Sequence, residues 1–268
     1  MAFSYSEITS RKNEKIIWVS KLHDKKNRDA SGLFITDGVK LLEEALLSGL
    51  SVEQVFFTKK ALTVYEALLT KADARENILV SDEVFDKITD EKAPQGILSV
   101  IKKPCEIHFD NKALKDGGFL ILEDIQNPLN LGAIFRCAYS LGCTKLILSK
   151  KCSDIYNPKT LRSAMGSAFK VNFKVCDDIC GFIAEQKSIG NRVFCTHLHS
   201  ESKKLGSFDF LPGDSIVIGN EGHGVSAETA SVCDSSVIIP MTEGAESLNA
   251  ATAASILMWE MNRAKLIS

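Results

Sequence analysis

Three stretches in the second half of the chain concentrate polar side chains and glycines where an apolar run ends. They are EDIQNPLNLGAIFR (123–136), IGNEGHGVS (218–226) and IPMTEGAESLN (239–249). A fourth apolar run, RVFCTHLH, reaches Thr196. In open α/β sheets, ligands bind at the carboxyl ends of the strands. Short polar groups and glycines at four such ends predict a pocket lined largely by backbone, which a planar ligand can approach closely.

Several common kinds of enzyme site are absent from these stretches. The glycines of GNEGHG follow the order G-x-x-G-x-G, and this loop comes far from the first strand of its domain, so a dinucleotide-binding oxidoreductase is disfavoured. The chain has neither a P-loop lysine nor a G-x-S-x-G elbow. Phosphoryl transfer and acyl transfer therefore have no visible apparatus.

The elements that must position these residues alternate between strands and helices. Helical patterns separate most of the near-continuous apolar runs, which are GFLILED, KLILS, RVFCTHL, SIVIGN and SVIIP. Runs buried on both faces predict a parallel sheet covered by helices on each side. The pattern places Asn127, Asn130 and Gly132 in a loop and Arg136 one turn into a helix. Ser247 or Asn249 suits the N-cap of the final helix.

The first hundred residues predict a smaller α/β module. A basic amphipathic helix at about 13–22 precedes the strand GLFITDG, the helix VKLLEEALLSG and the strand VEQVFFT. The stretch QGILSVIKKP reads as a strand leaving this module, and 108–118 reads as a linker. We therefore predict an N-terminal domain over 1–105 and a catalytic α/β domain over 106–268.

Composition is typical of a soluble globular protein, with 45% hydrophobic and 25% charged residues among 268. No apolar run is long enough to span a membrane and the N-terminus has no signal-peptide core, so the cytoplasm is expected. The eight cysteines form no C-x-x-C pair, which favours reduced, mostly buried thiols and no metal site. His197 and His199 lack a second ligand cluster, so a structural or substrate-facing role is favoured over metal binding.

Charge is unevenly distributed along a chain whose net charge is only −2. The segment 11–28 holds seven basic residues against two acidic ones, a local charge of +5. Such a patch could contact phosphates through Lys12, Lys25 and Arg28. A solvated helix face explains the same charges equally well.

Three motifs carry a resemblance to a known family. The stretches NLGAIFR (130–136), IGNEGHGVS (218–226) and IPMTEGAESLN (239–249) resemble the three motifs of the SpoU/TrmH family, in its order and near its spacing. Members are SPOUT-class RNA ribose 2′-O-methyltransferases that use S-adenosylmethionine. The resemblance covers the second domain, and the first is similar, less distinctively, to the family's RNA-binding domain. A capped helix beside a tight turn would explain Asn249 but not all three motifs.

The resemblance implies a fold and a set of site residues. The C-terminal segment is expected to thread through a loop into a deep trefoil knot, an exception to the rule against knots. The helix after the third motif is expected to pack at a homodimer interface. The family pattern implies that S-adenosylmethionine is held by Gly219, Ile239 and Leu248, with Thr196, Ile218 and Met241 close by. It also implies that Ser247 and Asn249 face the reacting centre.

The expected reaction needs help with a weakly acidic nucleophile, the ribose hydroxyl. The family assigns this to the arginine of the first motif, here Arg136. Because a guanidinium normally stays protonated, we favour binding of the adjacent phosphate and orientation of the 2′-OH, and leave open whether Arg136 accepts the proton. Asn130 and Glu221 are expected to fix that arginine and its loop. No metal is needed.

Three other functions remain as alternatives to ribosomal RNA methylation. They are a non-catalytic RNA-binding protein on the same fold, a transfer-RNA 2′-O-methyltransferase and a small-molecule methyltransferase. Every motif position needed for catalysis is present, which disfavours the first. The extra N-terminal domain favours ribosomal over transfer RNA by analogy with the fold. The same domain and the basic segment 11–28 disfavour a small-molecule substrate.

Overall fold

The computed structural model describes residues 3–104, 108–197, 202–244 and 247–267. His199 and Cys105, which the sequence raised as possible ligands or buried thiols, lie outside these ranges. The chain forms two compact units. The first consists of 1–105 together with 154–169, and the second of 106–153 together with 170–268.

The first unit is built on a mixed five-stranded sheet. The strand order is β1-β4-β3-β5-β2, with β5 antiparallel to both of its neighbours and the other pairs parallel. The strands are β1 (Ser6–Ile8), β2 (Leu33–Asp37), β3 (Val52–Phe57), β4 (Glu76–Val80) and β5 (Ile97–Lys102). The helices of residues 1–105 are α1 (Glu14–Ser20), α2 (Lys25–Ser31), α3 (Val39–Leu47), α4 (Lys59–Lys71) and α5 (Asp82–Ile88).

Helix α1 follows from a cap and an apolar stripe. The side chain of Asn13 accepts the N–H of Lys15 at 2.9 Å, which satisfies a backbone donor at the helix start. Ile16 and Val19, three positions apart, are fully buried in the core of the unit. A 3-10 turn (Lys21–His23) continues the helix and buries Leu22. The basic helix predicted over 13–22 is therefore present.

A segment distant in sequence completes the first unit. Residues 154–169 contain α8 (Pro158–Ala164) and a 3-10 turn (Ser167–Phe169). The ring of Phe34 on β2 lies 4.8 Å from that of Tyr156 and 5.9 Å from that of Phe169. The compact units thus differ from the predicted ranges 1–105 and 106–268, because these contacts join 154–169 to the smaller sheet. The apolar pattern of 154–169 does not predict that the segment packs with the five-stranded sheet.

Arg28 has a structural role that the charge pattern concealed. Its side chain is 1% exposed, and two of its nitrogens donate to the carboxylate of Asp154 at 3.1 and 2.6 Å. Its third nitrogen donates to the carbonyls of Leu22 and His23. The structure therefore contradicts the expectation that Arg28 contacts phosphate. Lys12 and Lys25 are exposed.

The second unit is built on a seven-stranded sheet in which every pairing is parallel. The strand order is β10-β12-β9-β11-β6-β7-β8. The strands are β6 (Leu120–Leu122), β7 (Lys145–Ser149), β8 (Asn172–Cys176), β9 (Val193–Cys195), β10 (Lys203–Lys204), β11 (Ser215–Ile218) and β12 (Ser235–Ile238). The helices are α6 (Asn111–Lys115), α7 (Pro128–Ser140), α9 (Ile179–Ser188), α10 (Ala227–Val232) and α11 (Ala250–Ile267).

This architecture confirms the predicted α/β class, with a larger parallel sheet and a smaller module before it. The five predicted runs form β6, β7, β9, β11 and β12. Strands β8 and β10 were missed because they are partly exposed and polar, with no apolar run. The interpretation of 108–118 as a linker is wrong: it contains α6, capped by the Asp110 side chain, which accepts the N–H of Ala113 at 2.7 Å.

Helix α7 begins earlier than predicted. The side chain of Asn127 accepts the N–H of Leu129 at 2.9 Å, and Pro128 occupies the first helical position, where its missing N–H costs nothing. Asn130 therefore lies within the helix and not in a loop, as does Gly132. Arg136 lies in the third turn of the helix, further along than the one turn that was predicted.

Candidate active site

The strand order brings the four polar loops to one edge of the second sheet. Strands β12, β9, β11 and β6 are consecutive neighbours and parallel, so their carboxyl ends lie side by side. The segments after them are 239–249, the residues from Thr196, 219–224 and 123–127. The pocket predicted at these four strand ends requires this adjacency.

Glu221 ties the second motif to the start of α7. One carboxylate oxygen accepts the backbone N–H of Asn127 at 3.1 Å and the side-chain amide of Asn130 at 2.9 Å. The other oxygen accepts the backbone N–H of Gln126 at 3.2 Å. Three donors on one carboxylate favour its charged form. Burial raises the pKa of Glu221, but the hydrogen bonds from Asn130 and the backbone N–H groups outweigh it, so the pKa lies below its ordinary value.

Asn249 connects the third motif to the same group of bonds. Its amide nitrogen donates to the side-chain oxygen of Asn130 at 3.0 Å. Its own oxygen accepts the N–H groups of Ala251 and Thr252 at 2.9 and 3.3 Å, which caps α11. Two side-chain hydrogen bonds, Glu221–Asn130 and Asn130–Asn249, thus join the three motifs in one chain of bonds. Asn249 is the N-cap that the sequence offered as one of two candidates, and both ends of its side-chain amide are engaged.

A cleft of about 790 Å³ opens beside this chain of bonds. Its walls come from all three motifs: Gln126, Asn127, Pro128, Asn130, Asn220, Glu221, Gly222, Ser247, Leu248, Asn249 and Ala250. Polar side chains and backbone dominate, with Leu248 as the large apolar member. The cleft can therefore hydrogen-bond a ligand that carries hydroxyl groups and contact an apolar part of it through Leu248.

The loop after β11 folds tightly on itself. Asn220 and Gly224 exchange two backbone hydrogen bonds, at 3.0 and 2.9 Å. A Cβ on Gly219 would lie 2.1 Å from the carbonyl carbon of Gly224 and from the nitrogen of Val225. Only glycine fits where two backbone segments approach so closely. Gly219 is therefore required for the shape of the loop, whatever binds next to it.

Two residues expected near the cofactor, Ile218 and Thr196, form hydrogen bonds at the ends of neighbouring strands. Ile218 is 2% exposed, and its carbonyl accepts the N–H of Glu123 at 2.9 Å. Its burial leaves its backbone and not its side chain to lie near a ligand, which is compatible with the expected place close to the cofactor. The Thr196 hydroxyl donates to the carbonyl of Val217 at 3.2 Å, so it fixes the end of β9 against β11.

The remaining predicted cofactor contacts offer apolar surface at the same edge. Met241 and Leu248 are 40% and 38% exposed, and Ile239 is half-buried. Of these three side chains, Leu248 lines the cleft beside Glu221, Asn130 and Asn249. Among the described residues, no group of three or more histidines, cysteines or acids is placed to hold a metal ion.

Arg136 and Ser247 are both exposed. Within the part of the chain that the structure describes, no carboxylate forms an ion pair with Arg136. Its guanidinium lies at the surface, where an anion can reach it. The distance from Arg136 to the Glu221–Asn130–Asn249 chain is set by α7, which carries both Asn130 and Arg136.

Glu123 is a site residue that sequence reasoning missed. Its carboxylate accepts the hydroxyls of Ser226 and Thr229 at 2.8 and 2.6 Å and the N–H of Ser226 at 2.9 Å. It therefore holds the end of the second motif against the end of β6. The sequence shows Glu123 as the first residue after an apolar run. Its partners lie about a hundred positions further along the chain, so the sequence does not indicate the contact.

Comparison with known proteins assigns the family. The model of the SpoU rRNA Methylase family matches residues 118–259, more than half of the chain. The chain belongs to the SpoU rRNA methylase family. The model of an MRM3-like substrate binding domain matches residues 13–99 of this SpoU-family chain.

Curated relatives of the SpoU-family chain extend over both units. One is the 23S rRNA (guanosine(2553)-2′-O)-methyltransferase RlmP of Bacillus subtilis, 32% identical over 263 residues, which span 95% of this chain and 98% of that protein. Another is the mitochondrial rRNA methyltransferase 3 of Homo sapiens, 29% identical, with 88% of this chain and 69% of the relative covered.

Solved structures of the family share the fold. The AdoMet-bound rRNA methyltransferase from Sinorhizobium meliloti superposes with a TM-score of 0.83 at 26% identity, over 97% of this chain and 98% of the other. The SpoU methyltransferase AviRb from Streptomyces viridochromogenes, in complex with AdoMet, gives 0.84 at 25% identity, over 95% and 99%.

Proposed function

We propose that this chain transfers a methyl group from S-adenosylmethionine to a ribose 2′-OH of ribosomal RNA. The observation that carries the proposal is the chain of hydrogen bonds Glu221–Asn130–Asn249, which joins all three family motifs beside one cleft. The names of RlmP and of the mitochondrial relative, both ribosomal RNA methyltransferases, support ribosomal RNA as the substrate class.

The cofactor would be held by residues at the carboxyl ends of β9, β11 and β12. These are Gly219, Ile239 and Leu248, with Thr196, Ile218 and Met241 close by. S-adenosylmethionine, when bound, supplies an electrophilic methyl group on a sulfonium, which needs no metal. The protein must then hold the ribose hydroxyl in line with the methyl–sulfur bond and away from water. Orientation of this kind supplies much of the rate in such a displacement.

Arg136 is the residue that orients the nucleophile, the ribose 2′-OH. An exposed guanidinium can bind the phosphate adjacent to the target ribose through its planar fork of donors and so orient the 2′-OH. Glu221 and Asn130 fix α7, which carries Arg136. Ser247, exposed in the cleft, faces the ribose with a hydroxyl that can donate or accept. Asn249 holds Asn130 in place through one N–H of its amide, and its second N–H can face the reacting centre.

The first unit is assigned to RNA binding, with Lys12 and Lys25 as phosphate contacts. The functional domains in this proposal remain 1–105 and 106–268, although 154–169 packs with the smaller sheet. The match of 13–99 to a substrate binding domain supports the assignment. Lys12 and Lys25 are exposed in the segment of highest local positive charge.

A homodimer and a trefoil knot are further parts of the proposal. Leu129 and Tyr139 on α7 and Trp259 on α11 are 57%, 45% and 44% exposed, and α7 packs against α11. Large apolar side chains on two adjacent helices suit a symmetric interface. Family membership supports the knot. We also propose a cytoplasmic location, where ribosomal RNA is accessible; none of the described helices could cross a membrane.

Labelled S-adenosylmethionine and total ribosomal RNA test the reaction directly. We expect label in large ribosomal RNA at a 2′-O position, detected by digestion to nucleosides and by mapping in cells with and without the gene. Transfer RNA serves as the competing substrate in a parallel reaction. Label in transfer RNA alone would replace the substrate class, and RNA binding without transfer would leave the non-catalytic alternative.

A further inference from the structure

Asp124, at the end of β6, adopts a backbone conformation that few side chains tolerate. Its φ is +57°, in the left-handed region. Apart from glycines, only two other described residues, Asp73 and Met165, have a positive φ. Aspartate and asparagine are the non-glycine residues that enter this region most readily, because their short polar side chains bond locally. Strained backbone of this kind often marks a functional site.

Three short hydrogen bonds hold Asp124 in this conformation. Its N–H donates to the hydroxyl oxygen of Ser149 at 2.8 Å, and that hydroxyl donates back to the Asp124 carboxylate at 2.6 Å. Its carbonyl accepts the side-chain amide of Asn220 at 2.8 Å. The bonds anchor Asp124 to the end of β7 on one side and to the second motif on the other. An ion pair with Lys151 at 3.4 Å is exposed and adds little.

The turn at Asp124 sets the direction of the residues that follow it. Ile125 is fully buried, and its carbonyl accepts the N–H of Ser153 at 2.7 Å. The next two N–H groups, of Gln126 and Asn127, both point at the carboxylate of Glu221. With this left-handed turn, the chain both buries Ile125 and presents these two donors to one carboxylate.

We infer that Asp124 is a positioning residue for the methyl-transfer site. It sets the two backbone donors that hold Glu221 and, through the N-cap Asn127, the start of the helix that carries Asn130 and Arg136. This inference rests on the proposed function. According to it, the turn at Asp124, before α7, positions Arg136, although Asp124 itself does not touch the substrate.

Substitutions at Asp124 separate backbone conformation from side-chain bonding. Asp124→Asn keeps tolerance of the left-handed region and an oxygen that accepts the Ser149 hydroxyl, so kcat should stay within about threefold of the wild type. Asp124→Ala loses both, and kcat should fall at least tenfold, since small misplacements of catalytic groups carry costs of that order. Asp124→Gly keeps the turn without the bond and should lie between. The KM for RNA should change less than kcat, because Lys12 and Lys25 lie in the other unit.

Amide hydrogen exchange gives a reading that does not depend on activity. The Gln126 and Asn127 amides should exchange faster in Asp124→Ala and at the wild-type rate in Asp124→Asn. Ser149→Ala is the second variant, because it leaves residue 124 unchanged; it should move kcat and both amides in the same direction, more weakly. Lys151→Gln is the matched control and should change neither.

Three outcomes would overturn the inference. They are wild-type kcat in Asp124→Ala, unchanged exchange of both amides in that variant, and equal damage from Asn and Ala. If Asp124→Ala does not fold, Ser149→Ala decides: wild-type kcat and exchange there overturn the inference. Failure of the proposed function looks different, because the wild-type protein itself would then transfer no methyl group to ribosomal RNA.

Discussion

At the scale of single residues, Arg136 combines exposure with the absence of an ion pair to any described carboxylate. An exposed guanidinium on the helix that carries the first motif can bind a phosphate. Arg136→Ala should therefore abolish methyl transfer from labelled S-adenosylmethionine to ribosomal RNA. Cofactor affinity, measured by calorimetry, and the thermal midpoint should stay near the wild-type values, because the side chain supports neither the core nor the cofactor loops.

Two further variants make the Arg136 prediction specific. Arg136→Lys should rescue poorly, because lysine keeps the charge but not the planar fork of donors. Arg263→Ala removes an exposed arginine from α11 and should leave activity near that of the wild type. Activity of Arg136→Ala within a few-fold of the wild type would remove Arg136 from the mechanism.

At the scale of loops, Gly219 is held by the backbone of its own turn. A Cβ would lie 2.1 Å from the carbonyl carbon of Gly224, so Gly219→Val must open the loop between 219 and 224. We expect affinity for S-adenosylmethionine to fall at least tenfold, about 1.4 kcal/mol, by calorimetry. At Gly222 the nearest neighbour of a Cβ would be a side-chain oxygen at 3.4 Å, so Gly222→Ala is the matched substitution and should cost much less. Equal affinity of Gly219→Val and the wild type would contradict the placement of the cofactor.

Local patterns in the sequence predicted the parallel strands and the loops at their carboxyl ends. Apolar runs are sufficient for that, because strands buried on both faces carry no polar side. The start of α7 was predicted too late. Asn127 and Pro128 are residue types that are common both in loops and at the start of a helix, and the loop interpretation was chosen. The partners of Glu123, Glu221 and Asp124 could not be predicted, because each bond joins residues that are far apart in the chain.

At the scale of helices and segments, the ion pair between Arg28 and Asp154 holds 154–169 in the first unit. Arg28→Met should lower the free energy of unfolding by about 3 kcal/mol, because it leaves a mostly buried carboxylate without its partner. Urea denaturation measures the loss. The double variant Arg28→Met with Asp154→Leu should recover much of it, since an apolar pair can replace a buried ion pair. A single variant as stable as the wild type would mean that the pair contributes nothing to this packing.

At the scale of the whole molecule, the chain passes between the two compact units three times, near 105, at 153–154 and at 169–170. Cofactor residues and catalytic candidates all belong to the second unit, whereas Lys12 and Lys25 belong to the first. RNA affinity and cofactor affinity should therefore respond to different substitutions. The burial of Arg28 reduces the expected phosphate contacts from three side chains to two.

The salt dependence of RNA binding tests this division. Each phosphate neutralised by Lys12 or Lys25 should contribute roughly −0.7 to −0.9 to the slope of log affinity against log salt, through release of counterions. The double variant Lys12→Gln with Lys25→Gln should weaken RNA binding and flatten that slope by roughly one to two units. Calorimetry should show unchanged affinity for S-adenosylmethionine. If the double variant keeps both its RNA affinity and its slope, the 11–28 segment is a solvated face and the first unit binds RNA through another surface.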